Sequence, residues 1–376
     1  MNDRLRVLQL VETLCLGGAQ RLLPGLMTGL DPQRFEGHTL ALHDGVLRKE
    51  FEAARVSLTV LGARRFYEPQ VMSAVVRLVR DQGFDVIHTH LTGADIVGRI
   101  AGALTGVPVV STMHSVPRDY DQQKIHRRTL QRLTARTLAA RLIMVSPSIG
   151  IEYQRQWGIP ASRLVTINNA VPMEPYLAIA EGVADHVPPT VTTIGRLSEP
   201  KAYHLLLDAA RLILDKRPEI RFRIVGEGRL GAALRQQAHD LGIAHAVSFD
   251  GLRHDIPAIL AETHVFVLSS LWEGLPVTAV EAMAAARPVV LTDVGGCRDL
   301  VTPGVEGWLV PPGSVAALAT ALLEALDDPE QSRLYGRRGR EKVRRAFGRE
   351  QYVHGHEQLY ASLAMVRDRT RVAHLH

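Results

Sequence analysis

The sequence has little cysteine, no long apolar run and no dinucleotide fingerprint, and each shortage closes off a class of protein. Cys15 and Cys297 are the two thiols in 376 residues. That is too few for a disulfide framework, and they are not spaced as metal ligands, so a reducing cytoplasm is the expected compartment. No apolar stretch approaches the roughly 20 residues of a membrane-spanning helix, because Glu12, Arg99, Arg136 and Arg141 interrupt the candidates. The segment from Arg6 to Leu16 contains Gln9 and Glu12 and reads as a strand entering a turn, not as a signal peptide. A G-x-G-x-x-G motif is missing after this strand, and Gly226-Glu227-Gly228 is only a partial match, which counts against a nicotinamide-dependent dehydrogenase.

What is present is a soluble, globular composition: 46% apolar and 22% charged residues over 376 positions, enough for about two domains. Charge is divided unevenly. Residues 1–170 hold 21 Lys/Arg against 14 Asp/Glu, and residues 171–376 hold 23 against 25. Acidic ligands or an anionic membrane surface therefore suit the first half better than the second. No nucleic-acid-binding motif accompanies the basic excess, so nucleic acid is not an expected partner.

Short apolar runs alternate with helical patterns along the first half: Arg6 to Glu12, His38 to His43, Ser57 to Gly62, Asp85 to His90, Pro108 to His114, Arg141 to Ser146 and Leu164 to Asn169. The pattern lapses at 173–188, rich in Pro and small residues, which reads as a linker. It resumes with Val191 to Gly195, Arg221 to Gly226, Ala246 to Gly251, His264 to Leu268, Pro288 to Asp293 and Gly307 to Val310. Strands alternating with helices predict parallel sheets covered on both faces, hence two doubly wound α/β domains, 1–172 and 189–348. Such sheets bind ligands at the carboxyl ends of their strands, so two facing domains would place the site in the cleft between them.

The stretch from Ser269 to Ala282, SSLWEGLPVTAVEA, is the most informative. A buried strand breaks at Ser269-Ser270, and Glu273-Gly274-Leu275-Pro276 turns the chain into a helix starting near Val277. Pro276 suits a first helical position, and the amides of Val277, Thr278 and Ala279 would then point out of the helix start as an anion site. Glu273 lies before that site and Glu281 about one turn inside the helix. Without further context, Glu273 could equally cap the helix and Glu281 face solvent.

Glu-x7-Glu within EGLPVTAVEAMAAARPVV, followed by TDVGGCRDLV and EGWLVPPG, resembles the C-terminal signature of retaining, GT-B-fold glycosyltransferases of family 4. Gly195-Arg196-Leu197 with Lys201 resembles their GRL…KG element, and Gly17-Gly18 resembles the glycine turn of their N-terminal domain. The motifs run in order from about Val7 to Pro312. The resemblance implies two Rossmann-like domains, with a C-terminal helix, about 349–376, crossing back to complete the first. It implies a nucleotide-diphosphate sugar as donor, a saccharide or lipid-linked acceptor, and no metal. A soluble natural product is the alternative acceptor, and a nucleotide-sugar-binding protein without turnover the alternative class.

Carried onto this sequence, the resemblance gives Arg196 and Lys201 the diphosphate, where preplaced cations would meet the charge of the leaving oxygen. Glu273 and His114 would contact the donor sugar, and Glu281 the ribose hydroxyls. Gly17, Gly18, Gly195, Gly226, Gly274, Leu275, Pro276 and Val277 would line the nucleotide sugar, with Leu252 and Arg253 against the base. Ala202, Asp299 and Ala170 depart from the family pattern and bear on subtype and donor choice.

Other features have bland and functional readings side by side. His88 and His90 share one strand face and read as hydrogen-bonded structural residues rather than a metal pair. Asp119-Tyr120-Asp121 is a formal D-x-D, read as a solvated loop or acceptor contact rather than a metal site. Lys124, Arg128, Arg132 and Arg136 make a basic stripe, either a solvated face or a dock for anionic lipid, with Leu130, Leu133 and Leu138 as apolar contacts elsewhere on the helix. Arg64, Arg65, Phe66 and Tyr67 are the expected acceptor-side loop.

Overall fold

In a computed structural model, residues 4–15, 18–183 and 188–373 are described. The chain divides into two units, Met1–Ala170 with Arg349–His376, and Val171–Gly348. The first holds β1 (Leu5–Thr13), β2 (Phe35–His43), β3 (Leu58–Val60), β4 (Val86–His90), β5 (Val109–Met113), β6 (Arg141–Met144) and β7 (Leu164–Thr166). Their order is β3-β2-β1-β4-β5-β6-β7, all parallel. The second holds β8 (Thr190–Ile194), β9 (Arg221–Val225), β10 (Val247–Gly251), β11 (Val265–Leu268), β12 (Val289–Thr292) and β13 (Gly307–Val310). They lie in the order β10-β9-β8-β11-β12-β13, again all parallel.

Each apolar run of the sequence is thus one strand, because a parallel strand covered by helices on both faces buries both its faces. The polar residues it does carry, such as Gln9, His88 and His90, are hydrogen-bonded. Every residue of β4, β5, β8, β11 and β12 is buried. In both sheets the strand order reverses at the centre, beside β1 and β4 in one and β8 and β11 in the other. In doubly wound sheets, ligands bind outside the strand ends at such a reversal.

The helix Arg349–Ala373 lies on the first sheet. Tyr352, Val353, Leu359, Tyr360 and Leu363 pack into one core with Val7, Val86, Val110 and Ile143. At about 1.5–3 kcal/mol for each large apolar side chain withdrawn from water, this face alone holds the chain's end on the unit where it began.

The stretch expected as a linker does not run free over its described part. Met173 and Tyr176 bury in the second unit's core with Leu268, Ala279 and Met283. The Ala180 and Gly182 carbonyls accept from buried Arg287, and the Ile179 carbonyl accepts from Arg340 at 2.7 Å. One helical turn forms, Glu174–Leu177, and after it the guanidinium donors supply the backbone partners that a longer helix or a sheet would have provided.

Candidate active site

In the second unit, the expected site residues gather at the reversal between β8 and β11. Lys201 Nζ lies 2.6 Å from Glu273 Oε1, and Ser270 Oγ donates to the same oxygen at 2.6 Å. The two charged side chains are 18% and 10% exposed. Burial opposes the ammonium charge, but Glu273 and Tyr203 more than offset it and hold the Lys201 pKa above its ordinary value. The lysine is therefore charged yet compensated by its partner, and Arg196, five residues earlier, is exposed.

Glycines bring backbone close around this pair. Gly226 has φ +134°, and a Cβ there would overlap the Gly195 carbonyl oxygen. A Cβ on Gly195 would stand 2.8 Å from Tyr203 Oη and 3.3 Å from Lys201 Cε. Gly295 and Gly296 are pressed in the same way on the carbonyls of Glu273 and Gly274, and Gly296 N–H donates to the Gly274 carbonyl at 2.9 Å. The Glu273-Gly274 turn is thus clamped from behind. Cys297, next in the chain, is fully buried, and burial with the nearby Glu273 charge pushes its thiol pKa well up, so it is not a nucleophile.

The helix after the turn runs Val277–Ala284, with Pro276 in the position before its first residue. The helix starts at Val277 as expected, but Pro276 stands just before it instead of at its first position. The Pro276 carbonyl accepts from Ala279 N–H at 2.9 Å, so the outward amides are those of Val277 and Thr278, not Ala279. Thr278 Oγ1 ties the helix to β8 through the Ile194 carbonyl at 3.1 Å. Glu281 is half-buried and faces Tyr176, whose hydroxyl pKa is raised by burial and by that carboxylate.

Leu252 is 58% exposed after β10, and neighbouring Arg253 forks onto Asp255. Sequence reasoning missed Ser270, Tyr203 and Tyr176. Ser270 adjoins Glu273 in sequence and was within reach of it, whereas the two tyrosines carry no local signal.

In the first unit, Gly17 lies outside the described residues, and Gly18 is the first residue of the helix Gly18–Gly29. His114 follows β5 and is half-buried, its Nε2 3.2 Å from His90 Nδ1. Burial first, and His356 second, push its pKa down to about 4, so it is neutral at neutral pH. His88 and His90 are hydrogen-bonded structural residues, as expected, with rings 4.1 Å apart. The Asp119-Tyr120-Asp121 segment is a 3-10 helix, Pro117–Gln122, rather than a loop. Asp119 accepts from Val116 N–H and Asp121 pairs with Arg128 at 3.0 Å, so both carboxylates have local partners.

Phe66 packs half-buried beneath Arg127, whose guanidinium is 4.8 Å from the ring centre and bonds Glu12 at 2.8 Å. Arg64 and Arg65 are exposed, and Tyr67 is 62% exposed with Arg65 over its ring.

The basic helix, Ile125–Thr137, reverses one expectation. Leu130 and Leu133 do not face the core; they are exposed beside Arg128, Arg132 and Arg136, as is Ile125. The buried side carries Gln131, Thr134 and Ala135. Gln131 Nε2 donates to Asp95 at 2.7 Å, and Arg99, wholly buried, donates to Gln131, Thr134 and Ser111. A buried ion pair, Asp95–Arg99, needs polar neighbours and has pulled the polar face of the helix inward.

Residues 188–328 match the family model for glycosyl transferases group 1, and residues 16–175 that for glycosyltransferase family 4. The chain is 29% identical over 269 residues to UDP-Gal:alpha-D-GlcNAc-diphosphoundecaprenol alpha-1,3-galactosyltransferase of Escherichia coli, spanning 68% of this chain and 70% of that protein. It is 26% identical over 375 residues to 2-deoxystreptamine glucosyltransferase of Streptomyces kanamyceticus, spanning 92% and 95%. The solved structure of Anabaena Alr3699/HepE in complex with UDP and glucose has the same fold, with a TM-score of 0.81 at 22% identity over 96% of this chain and 100% of that one.

Proposed function

The chain belongs to the family 4, group 1 glycosyltransferases, and from that premise we propose that it moves a sugar from a nucleotide-diphosphate sugar to an acceptor hydroxyl with retention at the anomeric carbon. The observation that carries the reading is the Lys201–Glu273 pair, set among close-packed glycine backbone and the helix start at Val277. Arg196, Lys201 and the Val277 and Thr278 amides bind the donor diphosphate. They stabilise the charge that grows on the leaving oxygen as its bond to the anomeric carbon breaks. The acceptor oxygen bonds to that carbon from the same face, and its proton passes to a leaving-phosphate oxygen. Glu273 and Glu281 accept hydrogen bonds from donor-sugar and ribose hydroxyls, and His114 contacts the donor sugar.

No divalent metal is needed in this scheme, because the cations and amides already oppose the diphosphate and because Asp119 and Asp121 are held by local partners. The acceptor class proposed is a lipid-linked saccharide, as the E. coli relative's name supports. Exposed Ile125 and Leu133 beside Arg132 and Arg136 support peripheral contact with an anionic membrane on the cytoplasmic side. The Streptomyces relative's name supports a second reading, a small soluble acceptor.

The test is transfer from UDP-, GDP- and ADP-sugars to a polyprenyl-diphosphate saccharide and to a soluble aminocyclitol, with and without EDTA, reading anomeric configuration by NMR. Inverted product would refute retention. Loss of turnover in EDTA would refute the metal-free clamp, and transfer to the soluble acceptor alone would replace the lipid reading.

A further inference from the structure

A line of hydrogen bonds through the first unit reaches His114 and is left unused by the transfer scheme. His114 Nε2 lies 3.2 Å from His90 Nδ1, and His90 Nε2 lies 2.8 Å from Gln9 Oε1. Gln9 Nε2 is 2.8 Å from Tyr360 Oη, which is 2.6 Å from His88 Nδ1; His88 Nε2 is 2.7 Å from Thr112 Oγ1. Apart from half-buried His114, its members are at most 5% exposed.

Gln9 gives the line its direction. It is the one member whose two ends are chemically unlike, since its amide oxygen only accepts and its nitrogen only donates. With the oxygen toward His90, the His90 proton sits on Nε2. A neutral imidazole has a single N–H, so His90 Nδ1 is bare and accepts from His114 Nε2–H. On the other side the Gln9 nitrogen donates to Tyr360, whose hydroxyl donates to His88 Nδ1, and His88 Nε2–H donates to Thr112. Every bond then has one donor and one acceptor. Neutral rings are what this environment favours: burial, then neighbouring histidines, depress the pKa of His88 and His90 far below the ordinary value.

We propose that Gln9 and His90 are positioning residues that hold His114 in its Nε2–H tautomer, so that His114 offers a bare Nδ1 as a hydrogen-bond acceptor to a hydroxyl of the donor sugar. The proposal rests on the reading of His114 as a donor-sugar contact. Its consequence is specificity: a bare nitrogen rewards a hydroxyl donor and leaves a keto or deoxy sugar unpaired. Tyr360 buttresses the amide orientation of Gln9 from a helix 351 positions further along the chain.

The test begins with the unaltered full chain, labelled with 15N-histidine, without substrate at pH 7.5. Long-range 1H–15N spectra, assigned through His90→Asn and His114→Asn, read each ring's tautomer. The expected result is a protonated Nε2 and bare Nδ1 on both His90 and His114. A proton on His114 Nδ1, or averaging between the two nitrogens, would overturn the proposal while leaving the sugar-transfer reading intact.

Gln9→Glu supplies the functional arm. A carboxylate accepts from both sides, lets His90 hold two ring protons, and makes His90 Nδ1 a donor, so the His114 proton must move to Nδ1. We expect that tautomer switch together with a tenfold or greater fall in kcat/KM for the sugar donor that the enzyme uses. A switched tautomer with unchanged transfer would overturn the assignment of His114 as an acceptor of the sugar. Should Gln9→Glu fail to fold, the spectrum of the unaltered chain still decides the direction of the line.

Discussion

Replacing Lys201 with methionine keeps most of the side chain's length and removes a charge 2.6 Å from Glu273 Oε1, in a site where the two groups are 18% and 10% exposed. Glu273 would then keep its charge with one near neutral donor, Ser270 at 2.6 Å. Removing one partner of a buried pair costs about 3–5 kcal/mol, and the residual exposure here places Lys201→Met near the lower end, at about 3 kcal/mol. Glu273→Gln should cost a similar amount by stranding the ammonium. The double variant strands neither charge, so a coupling of about 2 kcal/mol is expected from the four-way cycle. Urea unfolding followed by tryptophan fluorescence measures it in a Trp157→Phe background. Trp157 belongs to the first unit, whereas Trp272 and Trp308 report on the second. With slopes of about 1–3 kcal/mol per molar urea, the single variants should lower the second unit's midpoint by about 1 M or more. A coupling below about 0.5 kcal/mol would refute the reasoning, because it would mean that the pair behaves as an exposed one.

Arg196→Ala should leave stability within about 0.5 kcal/mol, since the side chain is exposed, and lower kcat by about 10²–10³ if it meets the leaving charge; steady-state kinetics beside a melting curve separates the two. Gly226→Ala places a Cβ on the Gly195 carbonyl at φ +134°, so thermal shift should show both a lower Tm and a lost response to UDP; an unchanged response would refute the close approach. Acid should destabilise the first unit. His356 is buried and its pKa is pushed down to about 4 from 6.5, chiefly by burial, so its contribution is complete above pH 6.5 and is lost as pH falls toward 4. That is about 3 kcal/mol from this one ring at about 1.4 kcal/mol per unit. Tm measured from pH 7.5 to 4.5 should fall, and His356→Phe should flatten the fall. Arg132→Gln with Arg136→Gln should weaken sedimentation with phosphatidylserine vesicles roughly thirtyfold, at about 1 kcal/mol per arginine; unaltered sedimentation would remove the membrane contact.

How much was legible in advance depended on how far each cause reaches along the chain. Thirteen strands follow from apolar runs of four to seven residues, since the signal and the element occupy nearly the same positions. The places of Glu273 and Gly274 in the turn and of Glu281 in the helix were legible for the same reason: a strand, a turn and a helix start are consecutive. The helix at Ile125–Thr137 misled because its periodicity says which residues share a face but not which face is inward. Asp95 and Arg99, some thirty positions earlier, made the side carrying Gln131 and Thr134 the buried one. Pro276 was misplaced by one position, a difference that cost the site one amide.

By itself, the order of residues determined two parallel sheets, the place of each strand to within three residues at either end, and which polar groups stand near strand ends, because local patterning sets each of these. Tertiary structure alone decided that Lys201 spends its charge on Glu273, 72 positions away, and that Gln9 meets Tyr360 across nearly the whole chain. The physical reason is that a side chain's charge state and proton position are set by its neighbours in space, and folding chooses those neighbours from anywhere in the sequence.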